Sequence, residues 1–281
     1  MGFLAQIMAW LNVPMNAVGG VLLAPLIGTA PGWLSNTIIS AAVGVALLFM
    51  FKYTSNQRAI GRTRDNIKAN MLALKLFKDS MAVTLQSQGK VFAGSLLLLV
   101  HAIRPLLVMI LPVSLILGQL GVWYQARPLR PGEHTVVTMR LNGEADSPWP
   151  KVSVDFGPGG EVVTGPVRVL SKREICWEIK ARGKGIQHIV FRVDEEKVEK
   201  ELAVGDGFLP VSAERPDWNW ASIMVHPREK PFPPESPVRS ISITYPVRSS
   251  WTSGTDWWMI YFFVASMVFA LIAKPFLKVK I

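Results

Sequence analysis

The chain alternates between long apolar runs and polar stretches, and each of the long runs has a lysine at one end. A helix needs about 20 consecutive apolar residues to cross the hydrocarbon part of a bilayer. Three runs approach or reach that length, so the pattern predicts a membrane protein with an α-helical three-span core. The runs are Thr37 to Phe51 extended backward by Trp33 and Leu34, residues 91–124 with their cleanest part at 106–124, and Trp257 to Ala273.

Residues 1–32 are also apolar, but six prolines and glycines interrupt them, and no basic residue precedes Lys52 as a secretory signal requires. Apolar residues at helical spacing favour a short helix lying on the outer membrane face. An imperfect fourth span and a re-entrant segment stay open as alternatives. The helical positions are Phe3, Leu4, Ile7, Met8 and Leu11.

Apart from Arg104, the net charge of +10 is confined to short stretches beside the apolar runs. Residues 52–90 carry eight basic and two acidic side chains, and the C-terminal tail adds Lys274, Lys278 and Lys280, whereas 124–256 are balanced. Lysine and arginine beside a span mark its cytoplasmic side. The N-terminus and residues 125–256 are therefore expected outside, with 52–90 and the C-terminus in the cytoplasm. This placement argues against nucleic acid as a partner, apart from any ribosome contact.

The basic segment 52–90 is expected to form a cytoplasmic helical hairpin. Its apolar residues repeat at the spacing of a coiled-coil seam, and Asp79 and Ser80 supply a break before a second helix. Two interpretations stay open: a solvated basic face attracted to membrane lipids, or an arm that meets nascent membrane proteins or a ribosome. The seam residues are Ile60, Ile67, Met71, Leu74 and Met81.

Arg104 is the main polar residue inside the apolar runs. A single helix over 91–124 exceeds the bilayer thickness, so a break is expected at Arg104-Pro105. Intramembrane charges usually face a cavity or a partner, so Arg104 is expected to face a wet groove, meet a lipid phosphate or extend to the cytoplasmic interface. His101 shares its helical face. Asn36, Ser40 and Gln119 lie in or beside the spans, where such residues commonly bond between helices.

Residues 133–246 alternate apolar and polar positions between glycine, proline and asparagine breaks, which predicts six strands of an all-β sandwich. The domain, assigned to 125–256, looks similar to immunoglobulin-like modules of bacterial envelope proteins. Trp177 is expected in its core, and Cys176 is expected to be a lone thiol. Residues 206–237, rich in proline and tryptophan, are expected to be a long loop packed on the domain, or a lid contacting a peptide or glycan.

No catalytic motif is present, and the single cysteine and four histidines lack metal-ligand spacing. The sequence therefore predicts no enzyme, no cofactor and no metal. Residues 133–246 also contain no Asn-x-Ser/Thr sequon, which fits a bacterial inner membrane.

The order of these segments resembles the three-helix core of the YidC/oxidase-assembly membrane insertase superfamily. The nearest likeness is its compact branch, which includes archaeal YidC-like proteins and the insertase subunit of the ER membrane protein complex. The likeness rests on the basic hairpin, on IRPLLVMILP at 103–112 and on the third span within 257–281. It covers 33–124 and 257–281. Family members often carry the groove arginine in the first span, and an inserted β domain is unusual among them.

The resemblance implies a hydrophilic groove that lowers the cost of moving polar client segments into the bilayer. Arg104 would be its positive residue, with Ser40, Asn36 and Gln119 lining it, and Met71, Leu74 and Met81 would contact clients. The alternative is a membrane-anchored adaptor whose β domain binds an envelope protein and whose spans only hold it. A transporter subunit is disfavoured because no span contains a carboxylate.

Overall fold

In the computed structural model the described residues are 2–77, 80–144, 147–249, 257–277 and 279. Asp79, expected to break the hairpin, lies outside them. The chain forms two compact units. The β unit comprises Met1–Asn36 and Ser114–Tyr261, and the helical unit comprises Thr37–Val113 and Phe262–Ile281.

Four helical segments are long and apolar enough to cross a membrane: Gly2–Thr29, Gly32–Thr54, Met81–Tyr124 and Trp257–Leu277. Three of them confirm the helices predicted for the spans, and the N-terminal segment adds a fourth candidate. The helices are α1 (Gly2–Val18), α2 (Ala24–Thr29), α3 (Gly32–Thr54), α4 (Gln57–Leu76), α5 (Met81–Tyr124), α6 (Trp220–Val225) and α7 (Trp257–Leu277). A single π-helical turn, Gly19–Leu23, joins α1 to α2.

Within the β unit, α1 packs on α6. Ala5 and Met8 share an apolar cluster with Leu115 and Ile223. Further along α1, buried Asn12 donates from Nδ2 to the Ile223 carbonyl at 2.8 Å. One face of α1 is therefore held by protein from Ala5 to Asn12, about two turns at 3.6 residues per turn, and its remaining faces expose apolar side chains. The exposed residues are Phe3, Leu4, Trp10, Val13 and Val18.

The break predicted at Arg104-Pro105 is wrong, because α5 is one helix of 44 residues with Pro105 and Pro112 inside it. Each proline removes one helical hydrogen bond. In a helix that crosses a membrane, a full break would leave several backbone groups without partners in a medium that offers none. Two missing bonds thus cost less than a break.

In the helical unit, α4 and the first part of α5 pack together as the expected helical hairpin. Asn56 caps α4, since its Oδ1 accepts a hydrogen bond from the Ala59 amide at 3.1 Å. On α5, Gly94 lies so close to Ile67 that an added Cβ would sit 2.7 Å from Ile67 Cγ1. Of the predicted seam residues, Ile60 is buried and Ile67 and Leu74 are half-buried, whereas Met71 and Met81 are exposed, so the seam prediction fails at those two positions. A glycine on α5 thus lets α4 approach closely.

A second close approach joins α3 and α7. A Cβ added to Gly44 would collide with the backbone carbonyl of Ser266. Small residues at such a crossing let helices pack without a hydrophobic driving force, as in membrane helix pairs. Gly44 therefore sets the distance between these two helices.

The polar region forms two antiparallel sheets that share one hydrophobic core. One sheet has the order β3-β4-β1-β8-β7 and the other β2-β5-β6. Trp177 is 2% exposed in that core, as predicted, and Cys176 is a free, half-buried thiol. The strands are β1 (His134–Leu141), β2 (Val152–Asp155), β3 (Gly160–Val169), β4 (Glu174–Ala181), β5 (Gly185–Val193), β6 (Glu196–Val204), β7 (Glu214–Arg215) and β8 (Val238–Ile243).

β3 forms one edge of the five-stranded sheet and is exposed along most of its length. Its pairing with β4 shifts register twice, between Val162 and Thr164 and between Thr164 and Val167. Pro166 lies within the second shift and has no N–H to offer. The edge is therefore irregular as well as exposed.

β6 and β7 were not predicted. In β6 the buried positions are Val198, Lys200 and Leu202 with Ala203 and Val204, so a lysine occupies an inward site and hides the alternation. β7 is only two residues long. It lies inside 206–237, which also contain α6. This segment therefore packs on the β sheets, as expected, and on α1 as well.

Candidate functional site

Arg104 lines a cavity of about 390 Å³ in the helical unit. The other lining residues are Val108 and the corner where α3 turns into α4, Tyr53, Thr54, Ser55 and Asn56. Hydrogen bonds fix the corner, because Thr54 Oγ1 donates to the Met50 carbonyl and Ser55 Oγ donates to the Phe51 carbonyl. No carboxylate is present among the described residues that line this cavity. The cavity therefore combines one cation with hydroxyl and amide groups.

Arg104 lies about 30 Å from the Tyr124 end of α5 at 1.5 Å per residue. This length equals the thickness of a bilayer hydrocarbon core. The α3 residues beside Arg104 directly follow Lys52, where the apolar run ends. A crossing α5 would thus carry Arg104 at the membrane boundary rather than at its centre.

A second, open cavity of about 460 Å³ lies among α3, α5 and α7 in the helical unit. Its lining is apolar apart from Ser266. At 3.6 residues per turn, Leu106, Met109 and Val113 are roughly half a turn away from Arg104 and Val108 on α5. The polar and apolar cavities therefore open on different faces of α5. The lining residues are Gly44, Leu47, Leu48, Phe51, Leu106, Met109, Ile110, Val113, Phe263, Ser266, Met267 and Ala270.

The hairpin exposes large apolar side chains around its turn. Met71 is 54% exposed and Met81 is 84% exposed, whereas Leu74 is half-buried. Beyond exposed Gln86, Gln88 and Lys90, α5 exposes a second set of large apolar side chains before Arg104. Monomeric soluble surfaces rarely carry contiguous apolar patches of this kind unless they bind a partner or a membrane. We call the turn set the hairpin tip, and it consists of Met71, Leu72, Leu76, Phe77, Met81 and Leu85. The α5 set is Phe92, Leu96, Leu99, Val100 and Ile103.

The other residues predicted for the site do not line the Arg104 cavity. His101 donates from Nδ1 to the Leu97 carbonyl at 2.6 Å. Ser40 is fully buried in the helical unit. Asn36 and Gln119 belong to the β unit, where Gln119 donates from Nε2 to Asn16 at 2.6 Å. Gln119 therefore makes the hydrogen bond between helices that is expected of an isolated polar residue in an apolar segment.

The β unit contains a buried charged cluster that the sequence did not reveal. Lys200 has no exposed surface, and its Nζ donates to the Ser212 carbonyl at 2.7 Å, to Ser212 Oγ at 3.0 Å and to the Glu229 carboxylate. Burial lowers the pKa of Lys200, and the Glu229 charge opposes that shift. Ser212 also donates to Glu229. The cluster holds residues 206–237 against β6. Because the Glu229 carboxylate is hydrogen-bonded to both Lys200 and Ser212, the contact between this serine and this lysine stabilises the packing of the segment.

The chain matches no known protein family, no curated protein and no solved structure.

Proposed function

We propose that the protein is a membrane protein that assists the insertion or folding of other membrane segments, as an insertase-like membrane chaperone. The observation that carries this proposal is the presence of two exposed apolar sets, the hairpin tip and the α5 set, the second of which precedes Arg104 and its polar cavity. An apolar surface on a basic hairpin suits a nascent membrane segment, because such a segment is apolar and is often flanked by polar residues.

Capture is assigned to the hairpin tip. Met71 and Met81 offer unbranched, polarizable side chains that adapt to varied apolar partners. Because they are already exposed, a client segment can bind without unfolding the hairpin. Ribosome contact by the basic α4 face is part of the same proposal.

Arg104 is assigned to the polar end of a client. Its cavity lies where α3 ends, so a charged or hydrogen-bonding flank could be held there while apolar residues enter the lipid. The open apolar cavity among α3, α5 and α7 would accept client or lipid side chains on the other face of α5. These faces differ, so the proposal involves two binding surfaces on α5 rather than one continuous groove.

The proposed setting is a bacterial inner membrane, with the N-terminus and an immunoglobulin-like β domain outside and the C-terminus in the cytoplasm. The absence of charge before Lys52 and the basic segment 52–90 support this orientation. α1 is assigned to the outer membrane face, since its contacts run along α6 of the β unit.

Site-specific photo-crosslinking in growing cells tests the proposal. A photoreactive residue at Met81 or Arg104 should capture newly made membrane proteins, and the adducts should disappear when translation is stopped. Trp177, which is buried in the β core, is the matched negative position. If Met81 and Arg104 yield no more adducts than Trp177, the proposal is refuted.

The second candidate is a membrane-anchored adaptor whose β domain binds an envelope protein. One observation makes the two separable: Ala126 and Val247 form a β-bridge where the chain enters and leaves the β sheets. Replacing 127–246 by a two-residue turn therefore preserves the spacing of the flanking chain. This variant should keep chaperone activity under the first proposal and lose all activity under the second.

A further inference from the structure

Three arginines surround a cavity of about 250 Å³ in the β unit, separate from the Arg104 cavity. Arg127, Arg130 and Arg248 come from the two chain segments that flank the β sheets, and the Gly205–Gly207 turn closes the cavity between them. Gly205 and Gly207 both have positive φ, so the turn keeps a shape that other residues rarely adopt. The three guanidinium groups are thus held around one space.

Two of these arginines have carboxylate partners. Arg127 makes a bidentate pair with Glu133, at 2.7 and 2.9 Å. Arg130 lies 3.8 Å from Asp206, and both side chains are largely exposed. Each of these pairs is therefore close to electrically neutral.

Arg248 has no carboxylate partner among the described residues. Its guanidinium stacks 3.9 Å from the centre of the Phe208 ring, and its two terminal nitrogens donate to the carbonyls of Gly207 and Ala126. Its buried Nε lacks a hydrogen-bond partner in the described part of the chain. Burial lowers the pKa of Arg248 to about 10. A half-buried cation without a counter-charge is costly, and an anion from outside would relieve that cost.

The location identifies the kind of anion. Arg127 is three residues beyond Tyr124, the last residue of α5, and Arg248 is nine residues before Trp257, the first residue of α7. Trp257 is 62% exposed at this end of α7, as expected for an aromatic residue at a membrane interface. Lipid phosphates lie at that level, and arginine binds them with its planar fork.

We propose that this arginine pocket binds the headgroup phosphate of an anionic phospholipid in the leaflet reached by the Tyr124 end of α5. The lipid phosphate supplies the counter-charge for Arg248, and Arg130 supports it from the exposed side. The site requires that α5 and α7 cross the bilayer, but it does not depend on insertion of clients.

Native mass spectrometry of the full-length protein in detergent tests the site. The probes are phosphatidylglycerol, phosphatidylcholine with the same acyl chains, and soluble glycerol phosphate. The wild type should retain phosphatidylglycerol about ten-fold better than phosphatidylcholine and should not bind glycerol phosphate measurably. Arg248→Gln should weaken phosphatidylglycerol binding about ten-fold, since hydrogen bonds to charged groups have roughly that value.

Two further variants separate binding from folding. Asp206→Asn removes a carboxylate that competes with the phosphate, so it should tighten phosphatidylglycerol binding several-fold. If the arginines had only a structural role, this variant would not change lipid binding. Arg130→Gln, at an exposed position, should weaken binding without changing thermal unfolding. Arg192→Gln, an exposed arginine on β5, is the matched control. Equal retention of both lipids, equal behaviour of all variants and the control, or binding of glycerol phosphate without a lipid preference would each overturn the proposal.

Discussion

Glu229→Gln should be among the most destabilising substitutions in the β unit that change no side-chain volume. Glu229 is 8% exposed in its side chain and accepts hydrogen bonds from Lys200 and Ser212, while its Oε1 accepts from the Glu201 amide at 2.9 Å. The glutamine side chain is isosteric, so only the charge and one acceptor are lost. The variant therefore leaves the fully buried Lys200 ammonium without the carboxylate that is bonded to it.

The magnitude follows from that uncompensated charge. Removing one partner of a buried ion pair costs about 3–5 kcal/mol. For domains of 150–250 residues, 1 kcal/mol shifts the unfolding midpoint by about 2–4 °C. A fall of the midpoint by roughly 6–20 °C is expected. Replacing both partners together, as in Lys200→Met with Glu229→Leu, should cost less than Glu229→Gln alone, because no charge is then left buried.

Thermal unfolding of the full-length chain in mild detergent, followed by near-ultraviolet circular dichroism, measures the shift. Glu235→Gln is the matched control, since Glu235 is exposed on the same segment. If Glu229→Gln unfolds within 2 °C of this control, as exposed charges would, the buried charge does not stabilise the segment and the reasoning fails. A double variant less stable than Glu229→Gln contradicts it as well.

Three other outcomes are expected. Arg127 lowers the pKa of Glu133 from its ordinary 4.5 to about 2. The stability that the ionised Glu133 carboxylate contributes is therefore complete above pH 4.5 and is lost as the pH falls toward 2. Glu133→Gln should flatten that part of the stability profile, and an unchanged slope argues against the pair. Gly44→Val should destabilise the helical unit by about 1–3 kcal/mol through overpacking, measured by unfolding in detergent, whereas Gly89→Ala, with open space around it, should not. Asn12→Ala should cost about 1–3 kcal/mol by leaving a buried carbonyl unpaired, seen as faster hydrogen exchange in α1, and unchanged exchange refutes it.

The hydrophobic pattern was sufficient to predict α3, α7 and the hairpin, because long apolar runs between charges have few alternative structures. It failed at Arg104-Pro105, because the steric effect of a proline on the preceding residue is local, whereas a break would cost several backbone hydrogen bonds. It also failed at β6. The inward Lys200 there is tolerated only because Glu229 lies 29 residues further along the chain, and a local pattern cannot show such a partner.

The candidate site was predicted only in part. Arg104 was identified because a charge in an apolar run is rare, and the structure adds the α3–α4 corner beside it. Tyr53 to Asn56 gave no sequence signal, since hydroxyl and amide residues near a helix end are usually caps. Gln119 and Asn16 meet across more than 100 residues, which spacing alone could not reveal. The arginine pocket was equally hidden, because Arg248 is more than 100 residues from Arg127 and Arg130 in a segment of zero net charge.

The irregular edge formed by β3 has a consequence for crowding. Proteins tethered to one membrane share a thin layer and a common orientation, so a regular exposed strand could pair edge to edge with its neighbours and extend into a two-dimensional array. Two register shifts and Pro166 interrupt the row of hydrogen-bonding groups along β3. Exposed Val162 and Val167 therefore do not face a continuous ladder that a second strand could join. Under the proposed membrane anchoring, the protein would therefore reach high surface density without pairing edge to edge through β3.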